Sequence, residues 1–346
     1  MKKTLLAVAL TAASMTAVAD MSVSGHVNYK AGMLEDFQSG GVSTAQGNED
    51  LTVGTAASSE SRFRILSSTE ANGITYGAKI ELGLGEPDRA NALNKRQNEV
   101  YVSGALGKLT LGQGSIAGDG ASEENFSGTY LTSGDLSSWE LGGDLADNIY
   151  ADPGRTERLR YDAPKIGNLA LAVSINDSEG SGAVYTNATV VGNSATLKKA
   201  AVSGNDTGND VSVSARYAMS NIVASVGFIS AEADDSDVVA ASIAGQMSGF
   251  NAAVQYVTSE KQVGAVSDDF EQVRFFLGYK VGPYAVAIDH GISETDTKSV
   301  DAETTGLNFV YTPTKGVELY AGARNAQAND GALDENAFLM GARVKF

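Results

Sequence analysis

The 346-residue chain contains no cysteine, only five prolines and a single tryptophan. The absence of cysteine excludes a disulfide scaffold and any metal centre or nucleophile that needs a thiolate. After its first residues the chain has no run of roughly 20 apolar residues, which excludes a helical membrane protein. Acidic residues outnumber basic residues by 42 to 25, and the resulting net charge of −17 would repel a nucleic acid.

The first 19 residues have the pattern of a secretory signal peptide. Lys2 and Lys3 form a positive segment, residues 5–13 form an apolar segment, and Ala17-Val18-Ala19 resembles a cleavage site. We expect cleavage after Ala19, so that residues 20–346 form the exported domain. That domain reaches an oxidising compartment without a disulfide and must be stabilised by other means.

Stretches of about ten residues in which apolar and polar side chains alternate recur along the rest of the chain. The first stretch places Val23 and Val27 on one face and Ser24 on the other. Asn72-Gly73 lies between two such stretches, and this dipeptide favours a tight hairpin turn. Sixteen stretches can be counted, and an extra hairpin within 177–209 would raise the number to eighteen.

The connections between these stretches are alternately short and long, which predicts an up-and-down antiparallel sheet with every tight turn at one end. An open sheet of sixteen strands would leave two unpaired edges, so we expect a closed all-β barrel. Side chains cannot fill a barrel of that width, which must therefore enclose a channel. The apolar face would contact lipid and the polar face water. A soluble all-β domain is the alternative, but it does not explain the alternating connection lengths.

Several stretches resemble the general porins of Gram-negative outer membranes. They are SRFRI at 61–65, VYVSG at 100–104 followed by GKLTLGQ at 107–113, RLRYDAP at 158–164, and the terminal strand ending in Phe346. The resemblance implies a homotrimer of transmembrane barrels with short periplasmic turns and long extracellular loops. It implies that the third long loop, about 114–155, folds into each pore, and that the barrel assembly machinery recognises Phe346.

The resemblance also implies a filter in which acidic loop residues face basic residues of the barrel wall. Alternation with apolar neighbours turns four arginines towards the lumen. Arg96 would point inward if Tyr101 faces lipid and outward if Val100 and Val102 do, and we favour the inward orientation. The predicted pore-lining basic residues are Arg62, Arg64, Arg96, Arg158 and Arg160, and the predicted acidic residues of the constriction are Asp119, Glu123, Glu124 and Asp135.

We therefore expect a passive, water-filled channel for ions and small hydrophilic solutes. The excess of acidic residues predicts a weak preference for cations. No cofactor is expected, although the acidic loops could bind divalent cations loosely. The expected partners are outer-membrane lipid and lipopolysaccharide. The alternatives are a channel that prefers particular solutes and a barrel whose loops act as an adhesin or receptor.

Catalysis is not expected from this sequence. It contains neither a G-x-S-x-G nucleophile elbow nor a Walker A sequence, and His26 and His290 lack metal-ligand spacing. Residues 112–117 match G-x-G-x-x-A, but no helix follows to make a dinucleotide-binding unit. An outer-membrane barrel hydrolase, the enzyme alternative, would have fewer strands.

Overall fold

The computed structural model describes residues 20–34, 51–55, 60–84, 93–133, 155–177, 183–185, 189–191, 194–196, 199–201, 209–231, 236–263, 266–295, 302–328 and 333–346. The predicted signal peptide and Asp135 lie outside these residues. Within the described part of the chain, no helix is both long enough and apolar enough to cross a membrane.

These residues form twenty-one strands and one short helix. The strands are β1 (Asp20–Leu34), β2 (Thr52–Thr55), β3 (Ser61–Ala71), β4 (Ile74–Leu84), β5 (Leu93–Gly104), β6 (Gly107–Ser115), β7 (Arg155–Asp162), β8 (Leu169–Asp177), β9 (Ala183–Tyr185), β10 (Thr189–Val191), β11 (Ser194–Thr196), β12 (Lys199–Ala201), β13 (Asn209–Ala218), β14 (Ile222–Ala231), β15 (Ser236–Met247), β16 (Phe250–Val263), β17 (Val266–Val281), β18 (Tyr284–Thr295), β19 (Ala302–Thr314), β20 (Val317–Ala328) and β21 (Leu333–Lys345). The helix, α1 (Tyr130–Ser133), lies between β6 and β7.

Sixteen of the strands form one closed antiparallel barrel, as the sequence predicts. Strands β3–β8 and β13–β21 each pair with their neighbours along the chain, and β8 pairs with β13. The first strand closes the barrel because it pairs with β21 on one side and with β3 on the other. Short strand β2 pairs with the second half of β1, beyond the reach of β3.

The predicted alternative of eighteen strands is not realised within the described residues. The region 177–209 contains the four short strands β9–β12, but β9 pairs with β12 and β10 with β11. They form two small sheets separate from the barrel sheet. The barrel passes directly from β8 to β13 because these two strands pair along their lengths.

The tight turns use residues that tolerate positive φ. Asn72 and Gly73 have φ values of 54° and 75°, and Ser248 and Gly249 have values of 51° and 87°. Positive φ at both central residues is the requirement of a type I′ turn, whose twist matches that of the flanking strands. The hairpin predicted at Asn72-Gly73 is therefore confirmed.

The two faces of the barrel wall have opposite polarity. Apolar side chains of alternate positions point outward, and Met340, for example, is 66% exposed. Polar side chains such as Asn28 and Asn308 are buried on the inner face. Near the tight-turn end, the outward ring of Tyr284 stacks on that of Tyr311, with 4.9 Å between the centroids. Aromatic rings at this level are typical of a barrel's boundary with the membrane surface.

A buried hydroxyl links the strands on either side of the closure. The hydroxyl of Tyr320 on β20 donates a 2.8 Å hydrogen bond to Oδ1 of Asn28 on β1. The backbone N–H of Asn28 donates to Oγ of Ser61 on β3 at 3.0 Å. The Tyr320 ring lies against Gly341 on β21, where a Cβ atom would come within 2.3 Å of the ring. Tyr320 and Asn28 thus link four neighbouring strands.

The substitution Tyr320→Phe tests this link, because it keeps the ring over Gly341 and removes the hydroxyl. A buried acceptor of Asn28 then loses a donor, so we expect the free energy of unfolding to fall by about 1–3 kcal/mol. Urea unfolding in detergent, followed by circular dichroism, measures the change. The control Tyr284→Phe alters a ring on the outer surface and should leave the midpoint unchanged. Equal midpoints for both variants would contradict the role assigned to Tyr320.

Candidate functional site

The connection between β6 and β7 enters the barrel, as predicted for the third long loop. Its described part, residues 116–133, runs along the inner face of β8 and β13–β15 and then reaches the opposite wall. There Leu131 of α1 is buried among inward side chains of β18–β21, including Ala285 and Val310. The loop therefore narrows the lumen by crossing it from wall to wall.

Serine hydroxyls of the barrel wall hold the backbone of this loop. Three backbone N–H groups of the loop donate to serines on β8, β13 and β15, in the pairs Ala117–Ser174 at 2.9 Å, Gly118–Ser212 at 2.7 Å and Glu124–Ser242 at 3.2 Å. Ser242 also donates a 2.6 Å bond to the carbonyl oxygen of Ala121. Buried backbone groups need such partners, and short serine side chains let the loop approach the wall closely.

An apolar patch on the inner wall completes the attachment of the loop. Ile116 and Ala121 of the loop are buried against inward side chains of β14–β16, among them Ile229 and Val257. Gly227 on β14 lies directly beneath the loop, where any side chain would collide with it. The loop start is therefore fixed by apolar packing as well as by hydrogen bonds.

Arg158 and Arg160, both predicted to line the pore, bind the start of the loop. Arg158 donates to the carbonyl oxygens of Ser115 at 2.8 Å and Gly112 at 2.6 Å and pairs with Glu99 at 2.7 Å. Its side chain is only 4% exposed. Arg160 donates to the Ile116 carbonyl at 2.8 Å and pairs with Asp162 at 2.8 Å. Both guanidinium groups therefore stabilise the backbone at the start of the loop.

Three other predicted arginines surround one buried carboxylate on the wall formed by β3–β5. Glu81 pairs with Arg64, with Arg96 at 3.0 Å, and with Arg62 at 3.9 Å. Arg96 also pairs with Glu60 at 2.7 Å. Three guanidinium groups thus meet at two carboxylates on this wall.

The inward position of Arg96 has a different cause from the one expected. Val100 is exposed on the outer face, whereas Tyr101 lies on the inner face against Gly77 with the Lys108 ammonium 4.4 Å from its ring centroid. The expectation that Tyr101 faces lipid is therefore wrong. Arg96 still points inward because the β4–β5 register shifts by one residue between Gln97 and Lys95. Such a bulge reverses the alternation of faces.

An ion pair inside the barrel was missed by the sequence reasoning. Arg216 on β13 makes a two-pronged contact with Glu124 of the loop, one prong measuring 3.0 Å, and Ser225 donates to the same carboxylate at 2.7 Å. The alternation of Ser212, Ser214 and Arg216 along β13 was a signal that could have found it. Half of the Arg216 side chain stays exposed to the lumen.

A second buried carboxylate on the opposite wall also holds two arginines. Asp289 on β18 pairs with Arg274 at 2.7 Å and with Arg324 at 2.9 Å, and Asn308 donates to it at 2.6 Å. Gly306 makes room for this cluster, since a Cβ atom there would lie 2.5 Å from the Asp289 carboxylate. Two guanidinium groups thus converge on one buried carboxylate.

The predicted acidic residues fall into two groups. Asp119, Glu123 and Glu124 lie on the inward loop, and Glu124 is bound by Arg216. Asp135 lies outside the described residues. No cluster of three or more histidine, aspartate or glutamate side chains suited to a metal ion occurs in the described part of the chain.

A closed barrel with an apolar outer face, a polar inner face and a loop across its lumen defines an outer-membrane channel protein. The chain belongs to the Gram-negative porin family, whose model matches residues 4–331. It is accordingly a multi-pass β-barrel of the outer membrane. No curated protein matches the chain by sequence.

Solved porin structures share this fold at low sequence identity. The anion-selective porin from Comamonas acidovorans is 13% identical, with a TM-score of 0.69, and the match covers 95% of this chain and 100% of that one. The outer membrane channel DcaP of Acinetobacter baumannii is 16% identical, with a TM-score of 0.64 and coverages of 95% and 97%. OmpT of Vibrio cholerae, an outer membrane protein solved in a trimer form, is 14% identical, with a TM-score of 0.62 and coverages of 95% and 99%.

The substitution Gly227→Val tests the attachment of the loop. A Cβ atom there would lie 2.9 Å from the Cβ of Ala121 and 3.0 Å from the Cα of Gly118. Because backbone cannot yield as a flexible side chain does, we expect the loop to move into the lumen, the single-channel conductance to fall and the stability to drop by about 1–3 kcal/mol. The control is Gly245→Val on β15, where the nearest atom is 3.8 Å away. Equal conductances would contradict this account of the loop.

Proposed function

We propose that the protein is a passive porin through which ions and small hydrophilic solutes diffuse across the outer membrane. The observation that carries the proposal is the loop held against the inner wall, which narrows a barrel whose other inward side chains are largely polar. Channels of this kind select by pore width and by lining charges, and they need neither catalysis nor a cofactor. The acidic loops are also proposed to bind divalent cations loosely at the protein surface.

The proposed filter consists of loop carboxylates facing wall arginines. Asp119 and Glu123 supply negative charge from the loop, while the arginines around Glu81 and Asp289 supply positive charge from the wall. An ion in a narrow lumen cannot be fully screened from either set. We propose that the chain's net charge of −17 makes the channel more permeable to cations than to anions. The wall arginines keep this preference weak.

The proposed assembly is a homotrimer of three separate pores in contact with lipid and lipopolysaccharide. Support comes from OmpT of Vibrio cholerae, a structural neighbour described in a trimer form. Phe346 is proposed to be the residue that the barrel assembly machinery reads. It lies exposed on the outer face beside Gly25, with which it exchanges two backbone hydrogen bonds of 3.0 Å.

A sugar-preferring channel receives less support from the inner wall. Such a channel presents aromatic faces to the solute, and Phe276 and Tyr320 are inward aromatic residues. Each is only 4% exposed, because Phe276 packs with Val223 and Tyr320 with Leu131. Their rings are occupied by packing contacts and offer little surface to a passing sugar.

Planar-bilayer recording tests the proposed function directly. We expect the purified protein to produce stepwise, ohmic increases in current, grouped in threes if the trimer inserts as a unit. Under a salt gradient, the reversal potential should show a small preference for potassium over chloride. Complete absence of conductance from folded protein would overturn the proposal, whereas a preference for chloride would overturn only the assigned selectivity.

The two signs of charge in the filter predict opposite mutational effects. Arg62→Ala removes a wall cation while Arg64 and Arg96 remain on Glu81, so the cation/anion permeability ratio should rise. Glu124→Gln removes a carboxylate and leaves Arg216 without its counter-charge, so the ratio should fall. Reversal potentials under the same salt gradient measure both effects. An unchanged ratio in Arg62→Ala would remove Arg62 from the filter.

A further inference from the structure

The two ends of the barrel differ in the sign of their charge. At the tight-turn end, the turns and the three adjoining positions of each barrel strand contain eight basic and four acidic residues. At the other end, the three last positions of the same sixteen strands contain four basic and nine acidic residues. The connections that join the strands there are acidic in sequence too, and 232–235 has three acidic residues and no basic one. An ion therefore meets a different field at each end of the pore.

Six of the basic side chains at the tight-turn end lie on the inner face, and we call them the basic mouth. They are Lys108, Arg160, Arg216, Lys280, Arg343 and Lys345. Lys108 lies over the inward ring of Tyr101, with 4.4 Å between its ammonium group and the ring centroid. Lys280 extends up to the inward loop, since a Cβ atom at Gly128 would lie 3.6 Å from its Nζ. The six side chains come from five strands spaced around the barrel.

Lys108 and Lys280 differ from the other four members of the basic mouth because no carboxylate pairs with them. The other four have acidic partners, in the contacts Arg160–Asp162, Arg216–Glu124, Arg343–Glu318 and Lys345–Glu318. Among the described residues, no carboxylate oxygen lies within 4.0 Å of the ammonium group of Lys108 or Lys280. These two lysines are therefore available to an anion that arrives from solution.

Opposite charges at the two ends make the ion content of the pore depend on direction. Fixed charges concentrate counter-ions within about one Debye length, which is about 30 Å at 0.01 M salt and about 3 Å at 1 M. In dilute salt, anions therefore collect at the basic mouth and cations at the acidic end, where the fixed charges act directly on passing ions. Concentrated salt screens both ends, so the ohmic current expected of the proposed function applies there.

We propose that Lys108 and Lys280 recruit small inorganic anions at the tight-turn mouth, so that the pore selects cations from one side and anions from the other. The proposal rests on the channel of the proposed function and adds a direction to its selectivity. In an outer-membrane barrel the short turns face the periplasm and the longer loops face the exterior. Small cations thus enter preferentially from the exterior and small anions from the periplasm.

Reversal potentials in the two orientations of one salt gradient test this asymmetry. Because screening is weakest in the dilute chamber, the mouth that faces it dominates the selectivity. We expect the potassium/chloride permeability ratio to be on the order of twofold higher when the dilute solution, at about 0.01 M, faces the acidic end.

The orientation of the protein in the bilayer is read from a label on Leu106, which is 85% exposed in a tight turn. A biotin attached to Leu106→Cys binds streptavidin only in the chamber that the tight turns face. No native cysteine competes for the label. The marker is present in every protein that is compared, so each permeability ratio is assigned to a known orientation.

The double variant Lys108→Gln/Lys280→Gln assigns the asymmetry to the two lysines. We expect its permeability ratio to rise when the dilute solution faces the tight turns and to stay unchanged in the other orientation. The variant Lys108→Arg/Lys280→Arg keeps both charges and should retain the wild-type difference. Lys95→Gln is the matched control, since it removes a lysine charge that is 51% exposed on the outer wall and should change neither ratio.

Equal ratios in the two orientations of the wild-type protein would overturn the proposal, and so would a double glutamine variant that keeps the wild-type difference. A rise of the ratio in both orientations would place the two lysines in the constriction and overturn their role at the mouth. Each of these outcomes leaves the channel itself intact. Absence of conductance from the folded wild-type protein would instead overturn the proposed function.

Discussion

The structure depends on one constraint: every backbone N–H and C=O group within the hydrocarbon must find its partner inside the protein. A sheet meets that demand only when it has no edge, and the pairing of β1 with β21 removes the last one. Closure also gives each strand an outer face and an inner face. Alternate residues face the lipid and the lumen, so each strand has one apolar face and one polar face.

The wide interior then creates a second requirement, because sixteen strands enclose more space than their own side chains can fill. The inward loop occupies part of it, and its backbone groups need partners there as much as those of the strands. Ser174, Ser212 and Ser242 provide them, while Gly227 lets the loop approach the wall. The buried arginine clusters are held by Glu81 and Asp289, since an unpaired charge would be costly at such burial.

The sequence predicted the features that depend on local alternation. The number of barrel strands, the turn at Asn72-Gly73 and the inward third loop are all confirmed. Features that depend on how two distant segments meet could not be predicted. The bulge that turns Arg96 inward is a mismatch between β4 and β5, invisible in either strand alone. The pairing of Glu124 with Arg216 joins residues separated by 92 positions. The roles of the predicted site residues in selectivity remain predictions.

The pairing of β1 with β21 also has a kinetic consequence. The two strands come from opposite ends of the chain, so the contact that completes the sheet has nearly the greatest sequence separation available. Contacts of this kind form slowly, because the entropy cost of closing a long loop precedes the gain from inter-strand hydrogen bonds. Until the final strand arrives, β1 presents an unpaired edge that can associate with other chains. To avoid aggregation, the unpaired edge of β1 must therefore be protected from the strands of other chains until β21 is available to pair with it.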